Sequence, residues 1–208
     1  MIVLAGMIGA GKTTYTQALA EHYGTQPFYE EVDDNPVLDK FYDDPKRWAF
    51  SLQIYFLNKR FESIKKALSD DNNVLDRSIY EDALFTYVNV LQGNISELNF
   101  EIYTELLNNM MQELKELPKK APDLLIYLDG SFETILEHIK KRGRDFEQWD
   151  NDPGLLEYYK LLFSKYKGWY EAYDKSPKMS INVDEYDILE QPEKVFALID
   201  EKLKTIRS

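Results

Sequence analysis

Short apolar runs alternate along this chain with longer stretches whose apolar positions recur at helical spacing. The runs are IVLA (2–5), VL just before Asp76, LLIYL (124–128) and MSINV (179–183), with a weaker one in PFYE (27–30). Strands this short, separated by helical segments, predict an α/β domain built on a parallel sheet. The helix boundaries carry their own signals. Asp44-Pro45 sets an N-cap residue before a proline at the first helical position, and the apolar pattern then runs to about Leu68. Ser78-Ile79-Tyr80-Glu81 has capping-box spacing and predicts a helix opening straight after the strand that ends near Asp76. Gly143 suits the C-terminus of a helix over ILEHIKKR. Residues 153–175 are rich in tyrosine and periodic enough for one helix, 191–206 suit a last one, and a short helix is expected near Pro36. With no fixed-period repeat and no Pro- or Gly-rich linker, residues 1–208 read as a single domain.

One turn in this pattern carries chemistry. Residues 6–13, GMIGAGKT, satisfy G-x-x-x-x-G-K-[ST], with an apolar strand before them and the helical TYTQALAEHY after. Glycines at these positions let the backbone N–H groups of Gly6, Met7, Ile8, Gly9, Ala10 and Gly11 curl around a phosphate at a helix N-terminus. Lys12 then reaches the outer phosphates, and the Thr13 hydroxyl, followed by Thr14, ligates Mg²⁺. A chance glycine-rich turn would not have strand, loop and helix all in register. The pattern predicts a nucleoside-triphosphate binder. A GTPase switch needs an Asn-Lys-x-Asp element to read its base, and the Asn58-Lys59 pair here is followed by Arg60-Phe61 inside a predicted helix. A small-molecule kinase fits better.

Charge narrows the acceptor. The chain carries a net charge of −12, which argues against a nucleic-acid-binding surface. It has no cysteine, so disulfides and thiolate chemistry are excluded, and its two histidines make a histidine-rich metal site improbable. No apolar run approaches the ~18 residues of a membrane span, and the opening MIVLAG is too short and lacks the basic start of a signal peptide. A cytosolic protein with no membrane or nucleic-acid partner is expected. Yet Glu30, Glu31, Asp33 and Asp34 cluster eighteen to twenty-two residues beyond Lys12. A monophosphate acceptor is dianionic and would be repelled there by several kcal/mol in a partly dry site. A neutral hydroxyl has the opposite need, because a carboxylate can take its proton. Glu30 ends the second predicted strand, where ligands of such sheets bind, and is the candidate general base. Glu31, Asp33 and Asp34 read as solvated acids, with Asp33 or Asp34 able to cap the short helix near Pro36.

Other candidates follow from position. Asp76 at a strand end is a candidate Mg²⁺ ligand, directly or through water. Arg77 beside it is placed to bridge phosphate oxygens and the Glu30 carboxylate, although Asp76-Arg77-Ser78 also reads as a capping cluster with a surface ion pair. Gln53 and Arg60 stand seven apart on the helix predicted over 45–68, and at ~100° per residue they share nearly one face, which reads either as two polar groups interrupting a buried stripe or as a solvated face. Phe50, Phe56 and Phe85 individually read as core residues rather than base-stacking platforms, with the alternative that one of them stacks on a base.

Taken together, EEVDDNPVLDKFYDDPKRWAFSLQIYFLNKRF, LDRSIYED and KKRGRDFE, with the phosphate loop, resemble the deoxynucleoside kinase family over about residues 1–190. The similarity is to the bacterial deoxyadenosine and deoxyguanosine kinases. It implies a P-loop kinase fold with a five-stranded parallel sheet, a homodimer, and ATP·Mg²⁺-dependent phosphorylation of a deoxyribose 5′-hydroxyl. It also implies that Gln53 and Arg60 read the nucleobase with Asp82 across the pocket from Glu30. Tyr42 and Glu147 match positions that contact the 3′-hydroxyl. Arg142 and Arg144 match an arginine-rich lid, here about 140–152, that closes over the γ-phosphate. Family lids commonly carry a further arginine where this chain has His138. The basic KKRGR stretch also suits plain helix-dipole capping. By similarity the loop 182–190 borders the donor adenine.

Deoxyadenosine is the expected main substrate, with deoxyguanosine or deoxycytidine secondary and thymidine poor. An arginine that only donates and a carboxylate that only accepts together suit an edge with an acceptor nitrogen and an amino group. The competing readings are a thymidylate-kinase-like nucleoside monophosphate kinase and a nucleotide-binding regulatory protein without turnover.

Overall fold

The computed structural model describes residues 1–30, 35–115, 122–150 and 152–207. Five parallel strands form one sheet in the order β2-β3-β1-β4-β5: β1 (Ile2–Ala5), β2 (Pro27–Phe28), β3 (Val74–Asp76), β4 (Leu124–Asp129) and β5 (Lys178–Asn182). The register pairs Ile2 of β1 with Val74 on one side and Leu124 on the other. β1, β3 and β4 are buried along nearly their whole length. Helices cover both faces of such a sheet, so its central strands read as continuous apolar runs. Successive strands leave β1 toward β3 on one side and toward β4 on the other. In open α/β sheets ligands bind at such a switch, outside the strands' carboxyl ends.

The helices follow their local signals. α1 (Lys12–Tyr23) and α2 (Leu38–Asp43) precede α3 (Pro45–Ala67), α4 (Ile79–Leu91), α5 (Glu97–Lys115), α6 (Phe132–Arg142), α7 (Pro153–Ala172) and α8 (Pro192–Arg207). Asp44 accepts from the Arg47 backbone N–H at 3.3 Å, which makes it the expected cap of α3. Asp152 and Ser131 cap α7 and α6 in the same way. Gly143 ends α6 in the left-handed conformation. α5 is the element that its sequence signals leave unassigned. Leu98 and Ile102 on it are exposed while Tyr103 and Leu107 are buried, so its apolar positions do not gather into one stripe. Glu31, Asp33 and Asp34, including the suggested capping acids, lie outside the described residues; Asn35 accepts from the Val37 N–H at 2.9 Å.

The chain divides into two compact units. The first, Met1–Tyr29, Ala67–Ser78 and Ala121–Ser208, holds the whole sheet with α1, α6, α7 and α8. The second, Glu30–Lys66 and Ile79–Lys120, is helical and includes α2, α4, α5 and nearly all of α3.

Candidate active site

In the sheet-bearing unit the loop between β1 and α1 has the form its glycines require. Gly6, Gly9 and Gly11 take φ values of 149°, 86° and 88°, a range that side chains with a Cβ rarely adopt. Lys12 is buried and donates from Nζ to the carbonyls of Gly6 (2.6 Å) and Met7 (2.9 Å), so its ammonium is held over the loop. The Thr13 hydroxyl donates to Asp76 Oδ2 at 2.7 Å and joins the loop to the end of β3. Arg77, next in the chain, is the one non-glycine residue of positive φ (80°) among those described. Such a conformation costs ~1–3 kcal/mol and persists only where the surroundings enforce it. Here Arg77 is buried, and its Nη1 donates to the Tyr166 hydroxyl at 3.4 Å. That hydroxyl donates in turn to the Gly6 carbonyl at 3.1 Å. Tyr166 of α7 therefore ties the Asp-Arg-Ser turn to the phosphate loop.

α6 sits directly against the same loop. A Cβ placed on Gly9 would lie 2.7 Å from the Ile135 carbonyl oxygen, so only glycine allows this approach. His138 adds a polar contact, with Nδ1 2.9 Å from the Gly9 carbonyl. That carbonyl only accepts, so this nitrogen carries the proton. Beyond Gly143 the two arginines of KKRGR converge on buried Glu147. Arg142 Nη2 donates to its Oε2, and Arg144 Nη1 lies 3.5 Å from its Oε1. Tyr159 of α7 donates to the Glu147 carbonyl at 3.2 Å. The start of α6 is fastened to the 182–190 loop, because Asp184 accepts from the Ser131 N–H at 2.7 Å. Burial alone would raise the Asp184 carboxyl. Hydrogen bonds from Thr134 and Ser131, with the nearby His138, outweigh it and hold the group below its usual range.

In the helical unit a second polar cluster forms around Arg60 of α3. Arg60 Nε and Nη2 donate to Asp82 Oδ2 and Oδ1 of α4 at 3.2 and 3.4 Å. Nη2 also donates to Glu30 Oε1 at 2.6 Å. Arg60 and Asp82 are only 5% and 3% exposed, against the alternative of a solvated face. The Arg60–Asp82 pair is present as expected, but it does not stand across from Glu30. One guanidinium is long enough to serve both carboxylates, and the fork draws them together. Thr86 donates to the Asp82 carbonyl at 2.9 Å and lies 3.4 Å from Gln53 Oε1, so Gln53 belongs to the same buried network. Fully buried Tyr103 of α5 adjoins it. Its phenol is raised, first by burial and then by the charge of Asp82, and stays protonated. Tyr42 of α2 is half-buried with its ring 5.3 Å from Phe41. Phe50, Phe56 and Phe85 are half-buried rather than fully in the core.

Sequence reasoning missed Tyr166, Tyr159, Thr86 and Tyr103. Tyr159 and Tyr166 are seven apart in a tyrosine-rich helix and face one side, a signal that was visible but indistinguishable from core packing.

Comparison with known proteins identifies the family. The family model described as deoxynucleoside kinase matches residues 2–207. A deoxyguanosine kinase of Lactobacillus johnsonii is 56% identical over 98% of this chain and 92% of its own length. A deoxyadenosine kinase of Lactobacillus acidophilus is 50% identical over 99% of this chain and 97% of its own. A solved structure of deoxyadenosine kinase from M. mycoides with bound dCTP superposes with a TM-score of 0.80 at 30% identity, covering 97% of this chain and all of that one. A phosphate loop fastened to an Asp-Arg-Ser turn and a buried Arg-Asp pair beside Glu30 thus occur in a chain that belongs to the deoxynucleoside kinase family.

Proposed function

We propose that this protein transfers the γ-phosphoryl group of ATP to the 5′-hydroxyl of a purine deoxynucleoside in nucleotide salvage. The observation that carries the reading is the Arg60–Asp82 pair buried beside the carboxylate of Glu30. In the reaction the O5′–H bond breaks toward Glu30 as O5′ bonds to the γ-phosphorus and ADP leaves. Lys12 and Arg77 hold the phosphates, with Arg142 and Arg144 stabilising the charge that shifts toward the leaving group. Glu147, between those arginines, and Tyr42 are assigned to the 3′-hydroxyl. Thr13 and Asp76 present adjoining oxygen donors, a set that fits Mg²⁺, which usually takes one or two carboxylates and substrate phosphates. When bound, the ion supplies neutralisation of the phosphate charge.

Gln53, Arg60 and Asp82 are assigned to the nucleobase, with deoxyadenosine first. A second reading places deoxyguanosine first, and its support is the 56% identity to a deoxyguanosine kinase against 50% to a deoxyadenosine kinase. A coupled ADP-release assay with the four deoxynucleosides and their monophosphates decides. Turnover with a purine deoxynucleoside and none with monophosphates is expected, and the reverse sinks the proposal.

We also assign the protein to the cytoplasm as a homodimer. No described helix is long and apolar enough to cross a membrane. Tyr87 and Leu91 of α4 and Leu98 and Ile102 of α5 are exposed large apolar residues that a second copy would cover. Leu98→Glu with Ile102→Glu is expected to convert dimer to monomer in light scattering, and an unchanged mass would refute this interface.

A further inference from the structure

Arg60 holds two carboxylates at once. Its Nε and Nη2 form a fork on Asp82, and the same Nη2 reaches Glu30 Oε1 at 2.6 Å. We propose that Arg60 is a positioning residue for Glu30 as well as a reader of the nucleobase, so that recognition of the base orients the carboxylate that takes the 5′-proton. The inference rests on the kinase reading above, in which Glu30 is the general base.

A glutamate side chain has three rotatable bonds, and the position of its oxygens decides whether a proton acceptor meets O5′. Misplacement by about 1 Å costs on the order of 10²-fold in rate. The Arg60 contact fixes one oxygen of Glu30, and the proton goes to lone pairs that Arg60 does not use. Arg60 is suited to this because its guanidinium is planar and rigid. Whatever shifts the fork on Asp82 also shifts the donor on Glu30. A charge-assisted bond from a nearly buried arginine is also shorter and stronger than one at the surface. A base that seats well against Arg60 and Asp82 therefore improves kcat and not only KM.

A double-mutant cycle tests this, with wild type, Glu30→Gln, Arg60→Gln and the double variant. Single-turnover rates are measured with saturating deoxyadenosine and ATP. In the Glu30 background Arg60→Gln is expected to lower the rate ~10–100-fold, the penalty of a misplaced reacting group. In the Glu30→Gln background the same change is expected to do almost nothing, because the acceptor that Arg60 orients is gone. Equal fold-losses in both backgrounds would mean that Arg60 only binds the base, and the proposal would fall. Arg60→Lys is run in the same cycle, since it keeps the charge between Glu30 and Asp82 and loses only the fork. It covers the case in which Arg60→Gln does not fold. Wild-type turnover with multiplicative losses overturns this inference alone, whereas no turnover of any deoxynucleoside by wild type overturns the kinase reading with it.

Discussion

Gly9→Ala tests how closely helix α6 is built onto the phosphate loop. At φ 86° the new side chain meets a left-handed backbone, which costs ~1–2 kcal/mol in any surroundings. Its Cβ would also lie 2.7 Å from the Ile135 carbonyl oxygen and 2.8 Å from Ile139 Cγ1. The first of these is helix backbone and cannot swing aside, so α6 or the loop must shift, at the ~1–3 kcal/mol typical of overpacking. The sum is ~2–5 kcal/mol, or about 4–20 °C in Tm for a chain of this length. Gly143→Ala is the matched control. It has φ 71° with nothing within 4 Å of the added Cβ, so only the backbone cost of ~1–2 kcal/mol applies. Thermal melting of the two variants by circular dichroism gives the difference, which measures the loop–helix approach itself. Because the Gly9 carbonyl also faces His138, the displaced loop is expected to raise KM for ATP in Gly9→Ala and not in Gly143→Ala. Equal melting temperatures and equal KM values would refute the argument.

Three further outcomes follow from the site. Glu30→Gln keeps shape and hydrogen bonding but removes the proton acceptor, so kcat should fall ~10²–10⁴-fold with ATP binding nearly intact; retention of a substantial part of wild-type turnover would show that another group is the base. Lys12→Ala and Arg77→Ala should abolish turnover in folded protein, as judged by circular dichroism, and normal activity in Arg77→Ala would reduce the Asp-Arg-Ser turn to a cap. Replacing Arg60 and Asp82 together by small apolar residues should shift the kcat/KM ratio from deoxyadenosine toward thymidine in the ADP-release assay, while loss of the Arg60–Glu30 contact lowers turnover with both; efficient thymidine turnover by the unmodified protein would remove the basis for the purine assignment.

The amino-acid sequence by itself determined the features that a contiguous window can encode. The phosphate loop is one, because GMIGAGKT contains its own glycines, lysine and threonine, and each acts within one turn of its neighbours. The Asp44-Pro45 start of α3 and the Gly143 stop of α6 are others, as caps use groups three or four residues away. The apolar runs likewise marked all five strands, most plainly β1, β3 and β4, which are buried along nearly their whole length and so leave few polar positions to disguise them. What the tertiary structure decided is where groups distant in the chain meet. Tyr166 reaches Gly6 across 160 residues and Arg60 reaches Glu30 across 30. The sequence named Glu30 and Arg60 but set them at opposite ends of a pocket, because charge and spacing carry no information on side-chain reach. The left-handed φ of Arg77 was equally invisible, since local propensity disfavours it and only the packed surroundings impose it. α5 escaped notice for a related reason. Its apolar residues point both inward and outward, and which of them is core is settled only by what packs against them.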